Sequence, residues 1–365
     1  MPLRAGIVGL PNVGKSTLFS ALSGSQADAA NYPFCTIDPN VGMLEVPDPH
    51  LVRLAALVKP QDVVPATVEI VDIAGLVKGA AAGEGLGNQF LENIRNVDAI
   101  IHLIRAFDEG QVIHVEGSVD PIRDKEIIDT ELILKDLETI ERRRKRLQKP
   151  LKAQDKTAIL EDAMLQRIQY ILEQGKPART FQPTTAEIPF FRQLRLLTAK
   201  PVLYVLNVDE DQLHQPRESV RQLQRVAQEE GAALLLINAQ IEAEVAEIDN
   251  HEERQEYLKI YGLDEPAVHK VIRSTYQLLG LITFFTAGPK QVRAWPIRRG
   301  STAYDAAGTI HSDFQRGFIR AEVIAYDDFV ALGSEQACRE KGKLRLEGKE
   351  YVIQDHDIIH FRFNV

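Results

Sequence analysis

Apolar positions fall into two rhythms along this chain. Runs of strand length occupy Leu3–Gly9, Ala66–Asp72 and Lys200–Leu206, and another apolar run precedes Asn238. Such runs, closed by glycine-rich or polar stretches, predict strands. Helical spacing appears between them. Lys15–Leu22 reads as a helix that directly follows the first strand. Ile127–Leu147 places Ile128, Leu132, Leu137, Ile140 and Leu147 along one side, and Ala158–Leu172 repeats the pattern with Leu160, Met164, Leu165, Ile168, Ile171 and Leu172. These two segments predict antiparallel helices with their turn near Lys149-Pro150. Glu265–Leu281 reads as one more helix. The fold class expected is α/β, and no internal repeat suggests a solenoid.

Composition narrows the class. The chain has 365 residues, 44% hydrophobic and 26% charged, enough for two or three domains with cores of their own. Cys35 and Cys338 are far apart and form no metal spacing, so neither a disulfide framework nor a zinc framework is expected, and a reducing cytoplasm is the simplest compartment. The first residues run straight into the first strand, which leaves no room for a signal peptide, and no apolar run suits a membrane span. The formal net charge of −9 argues against general nucleic-acid affinity but allows a local basic patch.

Between the first strand and its helix, Gly9-Leu-Pro-Asn-Val-Gly-Lys-Ser16 has the form G-x-x-x-x-G-K-S. A loop of this kind turns backbone N–H groups onto phosphate oxygens at a helix N-terminus. Asn12, Val13, Gly14, Lys15, Ser16 and Thr17 are therefore expected to bind nucleotide. Lys15 reaches the β- and γ-phosphates, and the Ser16 hydroxyl ligates Mg²⁺. The second strand run ends at Asp72-Ile-Ala-Gly75, a D-x-x-G. A carboxylate at such a strand end holds the Mg²⁺ shell, and the Gly75 N–H can bond the γ-phosphate. The intervening loop Asn31–Asn40 offers Thr36 as a further Mg²⁺ ligand.

Gly9–Thr17, Asn31–Asn40, Asp72–Gly79, Gly83–Phe90 and, toward the C-terminus, Thr283–Gly288, Val292–Trp295, Ala307–Phe314, Gly317–Val323 and His360–Val365 resemble the Obg-like ATPases of the YchF type. The resemblance covers essentially the whole chain. It implies a P-loop G domain over 1–126 and 200–280, a helical arm inserted at 127–199, and a β-grasp TGS domain over 281–365. In the last stretch His356 stands where that family usually has glycine, at an expected turn.

The base-recognition segment is Asn207-Val-Asp-Glu210, where translation-type GTPases carry N-K-x-D. The extra methylene of Glu210 moves a carboxylate out of register for guanine, and Val208 removes the lysine stem and charge, so guanine preference falls. By resemblance, Asn207 faces the base and the Val208 backbone meets the adenine amino edge. Asn238 closes the base side. Phe107 is either a lid on the ring or a core aromatic at a strand end.

Leu76 occupies the place where related GTPases orient water with glutamine. An alkyl group cannot do this. His114, in the loop Asp108–Gly117, is the candidate substitute, set against an ordinary surface histidine. The catalytic pair expected is therefore Lys15 and His114. Asn12 matches an asparagine linked to K⁺ in some related GTPases, which makes K⁺ a second candidate cofactor beside Mg²⁺.

The arm carries Arg142, Arg143, Arg144, Lys145 and Arg146 in an otherwise acidic chain. A charge run is most often a solvated face, but a basic tip suits phosphate contact with ribosomal RNA. The function expected is a monomeric, cytoplasmic, ribosome-associated NTPase that hydrolyses ATP, with GTP a weaker or similar substrate, and that touches ribosomal RNA through the arm and the TGS domain. The alternative is a ribosome-binding switch in which hydrolysis is incidental.

Overall fold

A computed structural model of the protein describes residues 3–24, 41–73, 85–107 and 119–364, with backbone alone for 85–89. Among the described residues the strands are β1 (Arg4–Val8), β2 (Val41–Glu45), β3 (Asp62–Val64), β4 (Thr67–Asp72), β5 (Ala99–Ala106), β6 (Val202–Val208), β7 (Ala233–Ile237), β8 (Leu281–Ala287), β9 (Gln291–Arg298), β10 (Phe318–Ile324), β11 (Arg345–Glu347) and β12 (Ile358–Phe363). The chain divides into two compact units, Met1–Gly42 with Glu69–Thr275, and Met43–Val68 with Tyr276–Val365.

The first unit is built on a sheet in which β4, β1, β5, β6 and β7 lie in that order and run parallel. Every residue of β5 and β6 is buried, as a parallel sheet covered on both faces requires. The strand runs read from the sequence are thus β1, β4 and β6, displaced by one or two residues. Helix Lys15–Gly24 leaves the end of β1.

Two long helices, Pro121–Lys152 and Lys156–Glu173, are inserted between β5 and β6. Asp120 caps the first, accepting from Ile122 and Arg123 N–H, and Asp155 caps the second. The turn lies at 153–155, a few residues past the expected Lys149-Pro150. Pro150 sits in the last helical turn, where its missing N–H costs one intrahelical bond and does not end the helix. Ile133, Ile140, Leu147, Met164, Leu165, Ile168 and Leu172 form the seam, and Phe181 and Leu194 of the returning segment extend it.

A buried ionic network fixes the root of this arm to the sheet. Lys125 Nζ donates to Asp129 (2.7 Å) and Glu230 (2.6 Å), Arg179 donates to Glu230 (2.5 Å), and the Tyr204 hydroxyl of β6 donates to Glu230 (2.8 Å). Asp136 accepts from the N–H groups of Leu197 (2.7 Å) and Thr198 (2.8 Å) where the chain re-enters the sheet. His102 of β5 is buried beside this network, its ring 5.7 Å from that of Tyr204. Burial, opposed in part by Asp129, lowers its pKa to about 4.

The second unit contains a mixed sheet of order β11-β10-β12-β8-β9-β3. Its helix Ala303–Ile310 packs over a core of Phe284, Ile297, Phe318, Val323 and Phe361. The outermost strand, β3, pairs in parallel with β9 through Asp62–Gln291, Val63–Val292 and Val64–Arg293. The stretch 43–68, read from the sequence as part of the G domain, therefore belongs to the unit that holds the C-terminal strands.

Candidate nucleotide-binding site

The loop after β1 adopts the backbone its sequence demands. Asn12 has φ +62° and Gly14 φ +95°. At Gly14 a Cβ would stand 2.6 Å from Asn207 Nδ2, so a side chain is excluded on both conformational and steric grounds. Leu18 N–H bonds to Gly14 carbonyl (2.9 Å), which starts the helix. The N–H groups of its first turn have no intrahelical acceptor and are available to an anion.

This loop borders a cavity of about 670 Å³, the size of a nucleotide site. Asn12, Gly14, Lys15, Ser16 and Thr17 line it from the loop and the helix that follows, and Phe107, Asn207, Val208 and Asn238 line it as well. Val13 is buried beneath the loop and contributes its carbonyl to the scaffold. Burial lowers the pKa of Lys15, and Asp72 opposes that shift. Burial raises the pKa of Asp72, opposed by Lys15. Asp72 Oδ1 is buried without a hydrogen-bond partner among the described residues. An orphaned carboxylate oxygen at a strand end, beside the Lys15 ammonium, is a donor of the kind that holds the shell of a hard divalent ion such as Mg²⁺.

Two asparagines lock the three loops together. Asn207 donates from Nδ2 to the Val13 carbonyl (3.1 Å) and accepts at Oδ1 from Ala239 N–H (3.0 Å). Asn238 donates from Nδ2 to the Val208 carbonyl (3.0 Å), while its Oδ1 caps helix Ala239–Ala246 by accepting from Gln240 and Ile241 N–H. The Asn207 amide thus ties the phosphate loop to the base-side loop. Phe107 lies along the cavity wall with the Arg105 guanidinium 4.2 Å above its ring.

Glu210 departs from its expected place. It is exposed, begins a short 3₁₀ turn and does not line the cavity. Asp209 lines it instead, with Oδ2 accepting from Gln212 (3.1 Å) and Arg217 (3.2 Å). Sequence reasoning missed Ala243, Glu244 and Glu247, which line the cavity with Gln240 from one face of the helix that Asn238 caps and from just beyond its end. Their spacing of three and four residues was the available signal. Thr36, Gly75, Leu76 and His114 lie outside the described residues.

The basic run on the arm is divided between two tasks. Arg143 and Arg144 bind Glu161 and Asp162 of the opposite helix. Lys145 pairs with Glu141 one turn away (2.7 Å), while Arg142 and Arg146 are exposed.

Comparison with known proteins places this geometry. Residues 4–151 match a family described as 50S ribosome-binding GTPase, and residues 281–364 match the YchF-GTPase C-terminal family, described as a protein of unknown function. The Ribosome-binding ATPase YchF of Bacillus subtilis is 52% identical, with all of both chains covered. That of Escherichia coli O157:H7 is 50% identical over the same extent. The solved structure of the Schizosaccharomyces pombe YchF GTPase superposes with a TM-score of 0.88 at 40% identity, covering 99% of this chain and 97% of that one. No described helix is long and apolar enough to cross a membrane.

Proposed function

The chain belongs to the YchF family, and on that premise we propose that it is a Mg²⁺-dependent ATPase whose nucleotide state controls its association with the ribosome. The observation that carries this reading is the partnerless Asp72 oxygen near Lys15, next to a cavity of nucleotide size. Ser16 would ligate Mg²⁺ and Asp72 would hold its outer shell, with Thr36 a further protein ligand by family resemblance. Bound there, the ion supplies neutralisation of the β- and γ-phosphate charge.

The protein's own groups do the rest. Gly14 lets the loop backbone approach the phosphates, and Lys15 faces the β- and γ-oxygens. A water attacks the γ-phosphorus, the bond to the β–γ bridging oxygen breaks, and ADP and phosphate leave. His114 accepts the water proton in place of the glutamine that Leu76 replaces. Asn12, left-handed in the loop, is the residue that would hold K⁺. At the base end, Glu210 is turned outward, so no carboxylate from the fourth motif position meets guanine. Adenine then meets the Val208 backbone, with Phe107 against its ring. The β-grasp unit serves as a TGS module and shares ribosome contact with the exposed cations of the arm.

Leu76 favours a second reading, in which nucleotide binding sets conformation and hydrolysis is incidental. Single-turnover ATP hydrolysis with and without ribosomes separates the two. Stimulation of ~10²-fold or more marks hydrolysis as the timer, since externally supplied transition-state stabilisation is worth at least that. A rate unchanged by ribosomes leaves the switch reading.

A further inference from the structure

The second unit brings two imidazoles and a carboxylate together from distant parts of the chain. Asp48 and His50 lie at the start of helix Pro49–Val58, and His356 lies in the turn before β12. One ligand atom from each of Asp48, His50 and His356 falls within 4.8 Å of the others. His50 Nδ1 is 3.1 Å from Asp48 Oδ1, and the two imidazole rings stack with centroids 3.9 Å apart.

Each donor is held by its own surroundings. Asp48 is the helix cap, and its Oδ1 accepts from His50 N–H at 2.8 Å. His356 N–H bonds to the Thr283 carbonyl (2.6 Å), and its ring lies parallel to Phe285. Tyr326 meets the edge of His50 at 4.8 Å. Asp355 Oδ1 stands 3.7 Å from His356 Nε2, adding a second carboxylate nearby.

His356 has φ +68°, in the left-handed region that favours glycine. A side chain kept in such a conformation is a strain of the kind that clusters at ligand sites. Here the strain carries an imidazole to the one place where it meets His50 and Asp48.

We propose that Asp48, His50 and His356 form a metal site for a first-row divalent cation of the zinc class. Two imidazole nitrogens and one carboxylate oxygen are a borderline donor set that suits Zn²⁺ or Co²⁺ and not Mg²⁺ or Ca²⁺. Water fills the remaining positions. The two rings are stacked, and a turn of the His50 ring would bring a nitrogen of each onto one ion. The His50 side chain, 42% exposed, has room for that turn. The ion would join the segment 43–68 to the C-terminal strands of the same unit and so stabilise it.

The test uses tag-free, chelator-treated full-length protein in excess Mg²⁺. Zn²⁺ is titrated calorimetrically, and Co²⁺ is followed by its visible absorption. The wild type is expected to bind one Zn²⁺ per chain, with a rise in melting temperature. His356→Gly removes the imidazole at a backbone position glycine adopts without strain, so folding is retained. Zn²⁺ affinity should drop at least ~10-fold in it, since loss of even an outer partner of a metal ligand is worth 10–100-fold. The melting rise should vanish with it, and His50→Ala should behave alike. Equal affinity in wild type and His356→Gly overturns the site, as does the absence of Zn²⁺ binding by wild type in the micromolar range.

Discussion

Arg143 grips Glu161 with two hydrogen bonds across the arm, Nε to Oε1 at 2.5 Å and Nη2 to Oε2 at 3.0 Å. Arg144 repeats the contact one residue on, with Asp162 (2.9 Å) and Gln169 (2.9 Å). A run of like charge is thereby split into residues that hold the hairpin and residues that face water.

Charge reversal should separate the two groups. Arg143→Glu sets a carboxylate against the buried Glu161 and is expected to cost about 1–3 kcal/mol, below the range for fully buried pairs because the guanidinium is a third exposed. Arg142→Glu with Arg146→Glu, both exposed and four residues apart, should leave thermal unfolding unchanged. The double variant should still sediment less with ribosomes, with a shallower salt dependence than wild type. Unaltered sedimentation would assign the outward cations to solvation alone.

Nucleotide selection follows from the outward Glu210. ATP is expected to bind at least as well as GTP in competition against labelled ATP. A GTP preference above ~100-fold would require guanine hydrogen bonds that the exposed Glu210 does not offer, and would refute the adenine reading.

Lys15→Ala should abolish nucleotide binding or turnover while the circular dichroism spectrum stays native, because the ammonium belongs to the cavity and not to the core. Unchanged hydrolysis by a well-folded variant would remove the phosphate site from this loop.

His102 predicts an acid weakness. Its folded pKa of about 4 lies below the ordinary 6.5, so between those values the unfolded chain binds a proton that the folded protein refuses. Stability therefore falls as pH drops from 6.5 toward 4, by up to about 3 kcal/mol from this group. His102→Asn should flatten that part of the profile in urea unfolding. A slope identical to wild type would mean that the imidazole is protonated in place.

On the proposal that His114 accepts the proton of the attacking water, His114→Ala should lower kcat with little change in ATP affinity, because such a contact belongs to the transition state. General-base help is worth ~10²–10⁴-fold, and the low end is expected here. The wild-type rate should also fall on acidification through the imidazole pKa, as protonation removes the accepting lone pair. Wild-type kcat in the variant at saturating ATP would exclude the role.

Local signals made much of this protein readable. The strand before Gly9 and the helix from Lys15 follow from a short apolar run, a glycine pattern and a change of period. The arm was equally visible, but its turn was misplaced because Pro150 reads as a stop. In the last turn of a helix, proline forfeits one bond and two more residues can follow. What stayed hidden depends on partners remote in sequence. Nothing near Arg143 announces Glu161. Nothing near Asp62–Val64 announces β9, since parallel pairing leaves no local mark. The outward turn of Glu210 likewise depends on how β6 ends, which side-chain chemistry alone does not reveal.

The parallel pairing of β3 with β9 bears on how the chain is made. Helix Pro49–Val58 and β3 leave the ribosome early, yet the strand that receives β3 begins at Gln291. At roughly 5–20 residues per second, that strand follows about 11–46 s later. Throughout that interval Leu51 and Leu54, both buried in the finished fold, have no sheet to cover them. The nascent chain therefore carries an open apolar segment while the nucleotide unit is being assembled on either side of it. Slowing elongation should prolong capture of that segment by chaperones.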